Sequence, residues 1–336
     1  MSVTIRDVAK KAGVSASTVS RVIANSPRIS EDTKIRVQRV IKELDYHPNA
    51  IARSLAKSST RTIGLVLPNE AEDLFKNPFF INAMTGINIY AQKMGYYIMY
   101  SFSKNEEEEF ELVKKFTSSN LVDGVILLIA RANDRCIEYL KDMEFPFSVI
   151  GRPEDTSEVL WVDNDNFNAM YNVVSKFLQK GIKKIGFISG DKEWNVSKDR
   201  LNGYLQAHSV HGVQINENLI VQRIKFNEEE GYDAMKLIAE SEIPQVVVTT
   251  DDLFSFGALK YLNENNLKDV ALVGFNNTPL AAYQNPPLAS VDINAEKLGH
   301  YAAKLLIGSL NDSNLERNHY IIETSLIDRE STKGIL

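Results

Sequence analysis

The chain has 336 residues, of which 44% are hydrophobic and 24% are charged. This is an ordinary composition for a soluble protein, and it excludes collagen-like, low-complexity and wholly disordered chains. No apolar run approaches the roughly 18 residues of a membrane helix. The N-terminus also lacks the basic and apolar segments of a signal peptide. We therefore expect a cytoplasmic protein of two or three domains with no membrane partner.

The charges are unevenly distributed along the chain. Residues 1–61 contain 12 Lys and Arg against 5 Asp and Glu, whereas the other 275 residues contain 26 against 39. A cationic surface attracts phosphate groups, and an acidic surface repels them. The overall net charge of −6 therefore combines a small basic segment suited to nucleic acid with a large acidic body.

The first 48 residues have the pattern of three short helices. Thr4, Ser15 and Ser30 each precede an apolar helical pattern and are of the residue types that cap helices. Gly13 separates the first two helices and permits a tight turn. The apolar positions predicted to face the core are Ile5, Val8, Ala9, Ala12, Val19, Val22, Ile23, Ile35, Val37, Val40, Ile41 and Leu44.

The first two helices have the spacing of a helix-turn-helix. Ala16, Ser17 and Arg21 face outwards from the start of the second helix, the part that reaches base edges in the major groove. An arginine there is able to make two hydrogen bonds to a guanine. An ordinary pair of surface helices is the alternative interpretation. Because capping, spacing and local charge agree, we favour a DNA-binding module.

The stretch that follows is basic and rich in small residues, and we interpret 49–57 as a conditional helix and 58–61 as a linker. From residue 62, apolar runs alternate with amphipathic segments of helix length, which predicts parallel sheets covered by helices. Ligands bind outside the carboxyl ends of such strands. The predicted strands are 63–67, 96–101, 124–129, 148–150, 159–162, 184–189, 246–249 and 270–275, and the clearest helices are 79–93 and 166–180.

Three segments of the sequence resemble the LacI/GalR family of bacterial transcription regulators. They are residues 4–23 (TIRDVAKKAGVSASTVSRVI), residues 44–56 (LDYHPNAIARSLA) and residues 62–66 (TIGLV). The resemblance continues to the C-terminus and is most specific at the N-terminus. It implies a three-helix headpiece with a hinge helix, followed by a two-lobed α/β body like that of the periplasmic sugar-binding proteins.

The resemblance assigns DNA-binding roles residue by residue. Ala16, Ser17 and Arg21 fall at the family's base-reading positions. Leu55 falls on the leucine that family members wedge into the minor groove where two hinge helices meet, and a plain core leucine is its alternative. Such a wedge costs about a few kcal/mol, which added contact area offsets. The residues implied to contact or attract phosphates are Thr4, Ser15, Thr18, Asn25 and Arg53.

The resemblance also implies a division of the chain into domains and a homodimer. Dimer-forming surface is expected around residues 79–94, although a helix that faces its own sheet explains the same apolar stripe. Three segments are expected to cross between the lobes. The implied parts are the headpiece (1–48), the hinge and linker (49–61), the first lobe (62–161 and 291–324) and the second lobe (162–290 and 325–336).

An effector is expected in the cleft between the lobes. Arg200 matches the arginine that family members aim at their effector, and its planar donors suit sugar hydroxyls or a carboxylate. Some of the assignments have an alternative. Arg200 could form an interlobe salt bridge, and Trp194 and Phe226 could belong to the core. Asp252, which neighbours Asp251, could cap the helix that follows it. The implied effector-binding residues are Phe79, Arg152, Asp163, Trp194, Arg200, Phe226, Asp251 and Asn276.

Asn276 departs from the family pattern, which has an aspartate after the aromatic residue of this segment. An amide both donates and accepts hydrogen bonds, whereas a carboxylate only accepts them. A neutral side chain beside Arg200 therefore suits an uncharged polyol. Residues 67–80 and 149–153 are similar to the maltose and maltodextrin regulators of the family, so we predict such an effector.

Together these observations predict a repressor of a carbohydrate-utilisation operon. A homodimer would bind a pseudo-palindromic operator and release it when the sugar binds. The alternative is a global carbon-catabolite regulator whose DNA binding is promoted by a phosphorylated carrier protein. An enzyme is disfavoured because the hydrolase, nucleotide-binding and zinc-protease motifs are missing. The lone Cys136 and the acidic run at 163–165 lack metal-site spacing, so neither a metal nor a cofactor is predicted.

Overall fold

The computed structural model describes residues 3–23, 25–47, 59–67, 77–311 and 315–335. The chain forms two compact units, an N-terminal unit (Met1–Thr60) that includes the headpiece, and the body (Arg61–Leu336). Within the described ranges, no helix is both long enough and apolar enough to cross a membrane.

The headpiece contains three helices, α1 (Ile5–Ala12), α2 (Ala16–Ile23) and α3 (Glu31–Glu43). Gly13 ends α1 with a φ of +65°, a left-handed conformation that favours glycine, and so makes the turn into α2. The three helices enclose one small core. Its buried residues are Val8, Ala9, Ala12, Val19, Val22, Val37, Val40 and Tyr46.

The predicted helix starts in the headpiece are observed, but their caps differ. The amide and hydroxyl of Thr4 both donate to Asp7 Oδ2, at 2.9 and 2.7 Å, and these bonds lower the pKa of Asp7. Ser15 Oγ accepts from the amide of Thr18 at 3.1 Å, as a cap does. Ser30 occupies the predicted N-cap position of α3, but its hydroxyl pairs with the Thr33 hydroxyl and the expected side-chain bond to the backbone is absent.

Ile35 is a headpiece residue whose prediction was wrong. Its side chain is 55% exposed, whereas Val37 and Val40 of the same helix are buried. A helix of 3.6 residues per turn presents only one stripe to a small core, and Val37 and Val40 fill it.

The body contains two α/β layers built from apolar strands that alternate with helices. In chain order its elements are β1 (Thr62–Leu67), α4 (Pro78–Lys93), β2 (Tyr97–Phe102), α5 (Glu106–Ser118), β3 (Gly124–Leu127), α6 (Arg135–Asp142), β4 (Phe147–Ile150), β5 (Leu160–Asn164), α7 (Asn166–Gln179), β6 (Ile185–Ser189), α8 (Asn195–Val210), β7 (Ile220–Gln222), α9 (Glu228–Ser241), β8 (Val246–Thr249), α10 (Asp252–Glu264), β9 (Ala271–Phe275), β10 (Ala289–Asp292), α11 (Ala295–Asn311), β11 (His319–Ile322) and β12 (Ser325–Ile327).

Two six-stranded sheets organise these elements. The first sheet, which defines the first lobe, has the order β11-β5-β4-β3-β1-β2 and is wholly parallel. The second sheet, which defines the second lobe, has the order β12-β10-β9-β8-β6-β7 and is parallel except for β12. The predicted fold class, parallel sheets covered by helices, is confirmed.

Helices α4 and α11 cross very closely beside the first sheet. A Cβ at Gly86 of α4 would lie 1.9 Å from the carbonyl oxygen of Glu296, and one at Gly299 of α11 would lie 1.9 Å from that of Ala83. Only glycine permits this approach, in which each backbone packs directly on the other helix. Much of the apolar stripe of α4 is therefore explained by packing within its own lobe.

The chain passes between the lobes three times, between β5 and α7, between β10 and α11, and between β11 and β12. Asn164, at the first passage, joins all three. Its buried side-chain amide donates to the carbonyl oxygens of Ile293 at 3.0 Å and Ile322 at 2.9 Å. The strands from Thr62 to Asn164 belong to the first sheet, and those from Ile185 to Asp292 belong to the second.

All eight predicted strands are present with small shifts at their ends, and β3 stops at Leu127 instead of residue 129. The sequence did not reveal β7, β10, β11 and β12. These strands have three or four residues, and β7, β11 and β12 lie at sheet edges. Short edge strands lack the continuous apolar run on which the prediction depended.

Candidate functional sites

The residues predicted to read bases lie along α2 of the headpiece. Ser17 and Arg21 are exposed, whereas Ala16 is half-buried against the core. Among the described residues the Arg21 side chain has no hydrogen bond or ion pair, so its guanidinium is free to bind an external group. This exposed face has the chemistry that a base-reading helix needs.

The predicted phosphate contacts lie near the helix ends of the headpiece. Thr4 and Ser15 are exposed at the starts of α1 and α2, where unpaired amides favour anions. Thr18 is half-buried, and its hydroxyl pairs with that of Ser15 at 2.9 Å. Asn25 is exposed after α2 with a φ of +50°. The remaining two DNA-binding candidates, Arg53 and Leu55, lie outside the described residues.

A cleft lies between the two lobes, at the carboxyl ends of strands from both sheets. The space free of protein atoms in the cleft, including its open mouth, is about 640 Å³. Seven of the eight predicted effector-binding residues line it. They are Phe79, Asp163, Trp194, Arg200, Phe226, Asp251 and Asn276.

Arg200 is the cation of the cleft, and α8 holds it almost fully buried. Its Nε and Nη2 both donate to Asn166 Oδ1, at 3.0 and 2.8 Å, and its Nη1 donates to the Thr250 carbonyl at 2.6 Å. The guanidinium also stacks over the Phe275 ring at 4.4 Å. Burial lowers the pKa of Arg200 to about 10, so it remains charged near neutral pH.

Asp163, at the end of β5, forms the first-lobe side of this polar cluster. Its Oδ1 accepts from the amide of Asn164 and from Asn166 Nδ2, at 2.7 and 2.9 Å, and its Oδ2 accepts from the amide of Arg152 at 2.9 Å. Burial raises the pKa of Asp163 to about 6. Asn166 therefore links the carboxylate to Arg200, and no salt bridge of Arg200 occurs among the described residues.

Asp251 and Asn276 form the second-lobe side. Asp251 Oδ1 accepts from the amide of Leu253 at 2.8 Å and caps α10, and its Oδ2 accepts from Asn276 Nδ2 at 2.8 Å. Burial raises the pKa of Asp251 to about 6. The capping role expected as the alternative for Asp252 belongs to Asp251. Asp252 instead accepts from the Ser290 hydroxyl and the Thr278 amide, both at 2.7 Å.

Three aromatic rings form a continuous stack at one wall of the cleft. Trp194 stacks on Phe226 with centroids 4.7 Å apart, and Phe226 stacks on Phe254 with centroids 5.1 Å apart. Gly190 makes room for Phe226, because a Cβ there would lie 1.9 Å from the ring. Phe226 thus packs against two rings and the Gly190 backbone, and it also lines the cleft. At Trp194, the end of the stack, an aromatic face suits the C–H groups of a pyranose ring.

Arg152 differs from the other predicted effector residues. It is not among the residues that line the cleft, and its guanidinium lies 5.8 Å from the centroid of the Trp161 ring. Its backbone amide holds Asp163, so its contribution is made through the main chain. Sequence reasoning also missed Asn77, Asn166 and Thr250, which line the cleft. Asn166 lies two residues after β5, so a search of the residues that follow each strand would have found it.

The charges of the cleft limit what it binds. Two buried carboxyls and one guanidinium line it. An anionic ligand is therefore repelled, and a neutral ligand rich in hydroxyl groups is favoured. Within the described residues no group of His, Cys, Asp and Glu has the arrangement of a metal site. The cleft has the chemistry of a polyol-binding site.

Comparisons with known proteins agree with this architecture. Residues 4–49 match the family model for bacterial regulatory proteins of the lacI family, and residues 174–332 match a periplasmic binding protein-like domain. The transcriptional regulator MalR of Streptococcus pneumoniae is 39% identical over 318 residues, which cover 93% of this chain and 94% of that protein.

Two solved structures are also similar. A complex of the transcriptional regulator CelR with cellobiose has a TM-score of 0.76 at 29% identity and covers 98% of this chain and 99% of that one. A Staphylococcus aureus protein named as a probable maltose operon transcriptional repressor has a TM-score of 0.75 at 29% identity, with 82% and 99% covered.

The identity and coverage of the pneumococcal relative establish the family. A helix-turn-helix headpiece and a two-lobed body with a polar cleft are also what such regulators require. The chain belongs to the lacI family of bacterial regulatory proteins and is a transcriptional regulator.

Proposed function

We propose that this regulator represses a carbohydrate-utilisation operon and that a sugar in the interlobe cleft releases it from DNA. The observation that carries the proposal is the composition of the cleft. Arg200, Asp163 and Asp251 supply fixed hydrogen-bond donors and acceptors, and Trp194 supplies an aromatic face. Hydroxyl groups satisfy such donors and acceptors without bringing a charge into a buried site.

Maltose or a maltodextrin is the effector that we propose. The pneumococcal relative is named MalR, and the structural relative from Staphylococcus aureus is named for the maltose operon. The CelR complex contains cellobiose, which is also a disaccharide of glucose. Asn276 adds a neutral amide to the cleft, which suits an uncharged sugar better than an amine or a purine.

The proposed DNA target is a pseudo-palindromic operator bound by a homodimer. In each subunit α2 would enter the major groove with Arg21 at a base edge, and Leu55 would enter the minor groove between the two hinges. The surface proposed for the second copy lies beside α4 and the edge strand β2. There Ile89, Met94, Tyr97 and Tyr100 are 50%, 39%, 73% and 53% exposed, and burial of such apolar side chains would favour the contact.

We propose the domain arrangement that follows from these roles. Residues 1–48 form the headpiece and 49–61 the hinge and linker, and the remainder forms the two lobes. The sugar must bind one arrangement of the lobes better than the other, because a ligand with equal affinity for both changes nothing. The favoured arrangement would separate the hinges and weaken DNA binding.

A corepressor protein is the alternative mode of control. Catabolite control protein A of Priestia megaterium is 30% identical over 339 residues, so a phosphorylated carrier protein remains the competing partner. The two modes differ in the sign of the response. A sugar inducer lowers operator affinity, whereas the carrier protein would raise it.

The test uses the purified full-length protein in two steps. A thermal-shift screen of maltose, maltotriose, cellobiose and lactose identifies binders, and a gel shift with operator DNA follows for each binder. We expect maltose or maltotriose to raise the melting temperature and to weaken the gel shift. Binding of neither glucan, together with a stronger gel shift on addition of phosphorylated carrier protein, would favour the corepressor.

A further inference from the structure

A second feature near the cleft is a backbone bridge between the lobes. The amide of Ala132 in the first lobe donates to the carbonyl of Glu193 at 3.0 Å, and the amide of Asn195 in the second lobe donates to the carbonyl of Ala130 at 3.1 Å. These two bonds pair Arg131 with Trp194 as a short antiparallel bridge. The bridge therefore holds the backbone of the residue whose ring lines the cleft.

The first-lobe side of the bridge is fixed by a buried ionic cluster. Arg131 is 9% exposed and lies 2.8 Å from Glu109 Oε2 and 3.8 Å from Asp134 Oδ2. Asp134 Oδ1 in turn accepts from the amides of Cys136 and Ile137 and caps α6. The segment 130–134 is thus tied to both α5 and α6.

The second-lobe side of the bridge leads directly into the aromatic stack. Trp194 precedes α8, and its ring packs on Phe226 with centroids 4.7 Å apart. Asn195 also donates its side-chain amide to the Arg152 carbonyl at 3.0 Å, a second bond to the first lobe. The second lobe therefore positions the Trp194 ring, and the first lobe holds the backbone on either side of it.

We propose that the bridge between 130–132 and 193–195 is a latch that positions Trp194 in the effector cleft. Arg131 is the positioning residue that anchors the latch to the first lobe. A ligand that packs on the Trp194 ring favours the latched state, and separation of the lobes withdraws Trp194 from the ligand. Cleft occupancy and lobe arrangement are coupled through this one residue. The inference rests on the proposed function only for the sugar-binding measurement described below.

Asn195→Pro breaks the latch with little harm to its helix. Asn195 is the first residue of α8, a position that favours proline because its amide has no partner within the helix. Trp194 has φ −81° and ψ 126°, which a residue before proline readily adopts. The substitution removes the bond to Ala130 and places a methylene where that bond was. The matched control, Asn195→Ala, keeps the backbone amide and removes only the side-chain bond.

The first measurement needs no ligand. The chain has two tryptophans, so Trp161→Phe leaves Trp194 as the only one, and acrylamide quenching then reports its exposure. One hydrogen bond shifts a population by about fivefold. We expect markedly stronger quenching in Asn195→Pro and little change in Asn195→Ala. Equal quenching in the two variants would overturn the latch.

The second measurement is maltose affinity in the same variants. We expect Asn195→Pro to bind about fivefold more weakly than Asn195→Ala, because the latched state is the one that presents Trp194. If the unsubstituted protein binds no maltose, the proposed effector is wrong, and the quenching comparison still decides on the latch. Equal maltose affinity of the two variants would contradict the coupling of Trp194 to the ligand.

A separate pair of variants tests the role of Arg131. Removal of Arg131 alone leaves buried carboxyls without a partner, so Arg131→Met is combined with Glu109→Gln. The matched control is Arg135→Met, which removes an exposed arginine that pairs with Glu107 at 2.6 Å. We expect the double variant to increase the quenching of Trp194. Arg131→Lys, which keeps a positive charge, should increase it less. A lower melting temperature with unchanged quenching would show that Arg131 only stabilises its own lobe.

Discussion

The headpiece and the cleft place their functional side chains in opposite environments. In the headpiece Ser17 and Arg21 project into solvent, and the guanidinium of Arg21 has no partner among the described residues. In the cleft Arg200, Asp163 and Asp251 are almost fully buried, and hydrogen bonds already engage each of them. The headpiece depends on a separate core of eight buried residues.

This difference determines how each region responds to substitution. An exposed residue that binds DNA contributes little to the free energy of unfolding, so its loss affects DNA binding alone. A buried charged residue contributes to ligand binding and to the free energy of unfolding, since its removal leaves its hydrogen-bond partners unsatisfied. Function and stability are therefore separable in the headpiece and coupled in the cleft. The following experiments test that contrast, from the largest expected effect to the smallest.

Arg200→Met is expected to have the largest effect. It removes three hydrogen bonds and the cation between two buried carboxyls, so the free energy of unfolding of the body should fall by about 3 kcal/mol. Sugar should no longer release the protein from its operator. Chemical denaturation and gel shifts with and without maltose measure the two effects. Arg223→Met, which removes a half-exposed arginine of the second lobe, is the control. Loss of the sugar response at full stability would break the proposed coupling.

Asn164→Leu is expected to cost about 2–3 kcal/mol, because both hydrogen bonds to the other two crossing segments disappear. Denaturant unfolding measures this loss. The exposed Asn168, four residues along the chain, provides the control, and Asn168→Leu should change stability by no more than about 0.5 kcal/mol. Similar effects of the two variants would mean that Asn164 does not join the crossings.

Arg21→Ala should change DNA recognition without changing the fold. We expect a loss of about 1–3 kcal/mol in preference for the operator over unrelated DNA. The unfolding free energy should stay within about 0.5 kcal/mol. Competition gel shifts and thermal denaturation measure these quantities. Arg36→Ala, an exposed arginine on α3, should keep the sequence preference. A destabilised Arg21→Ala headpiece would remove the contrast between the two regions.

A change in pH is the mildest perturbation. It should change the stability contributions of the cleft carboxyls and of the headpiece carboxyl Asp7 in opposite directions. Burial raises the pKa of Asp163 and Asp251 to about 6 and that of Asp252 to about 7, from an ordinary value of 3.8. The folded body thus binds these protons more tightly than the unfolded chain. Their contribution to stability falls as the pH rises from about 4 to about 7.

Asp7 of the headpiece has the opposite sign. Hydrogen bonds from Thr4 lower its pKa, so its contribution is present above the unfolded value and is lost as the pH falls. Carboxyl titration by carbon NMR distinguishes the groups. Midpoints near 4 for Asp163 and Asp251 would mean that the cleft is far better solvated than its geometry indicates.

The sequence was sufficient for the headpiece because its signals are local. Capping residues, a glycine turn and a 3.6-residue apolar period lie within 48 residues, and they predicted all three helices. The missing side-chain bond at Ser30 reflects a competing hydroxyl, that of Thr33, and the exposure of Ile35 reflects the single stripe that a small core accepts from one helix. Similarly, buried parallel strands are continuous apolar runs, so the fold class of the body was predictable.

The cleft was predictable only as a set of strand ends. That set brought seven of eight candidates together, because parallel strands end at the same edge of a sheet. It did not reveal that Asn166 bridges Asp163 and Arg200, that Asp251 caps α10, or that Phe226 stacks on both Trp194 and Phe254. The bond from Arg200 to Asn166 and the ring contacts of Phe226 join residues far apart along the chain. The bonds of Asp163 to Asn166 and of Asp251 to Leu253 are local, but which of several neighbouring polar residues makes them depends on the packed fold.

The sequence by itself determined the helix-turn-helix, the alternating α/β body and the residue types that face the cleft. Only the tertiary structure decided which of those side chains pair with one another, that Arg152 acts through its backbone, and that Asn164 and the 130–132 and 193–195 segments join the lobes. The physical reason is the range of the interactions. Capping and periodicity act over a few residues, whereas a buried hydrogen bond depends on which distant donor and acceptor the packed fold brings within about 3 Å.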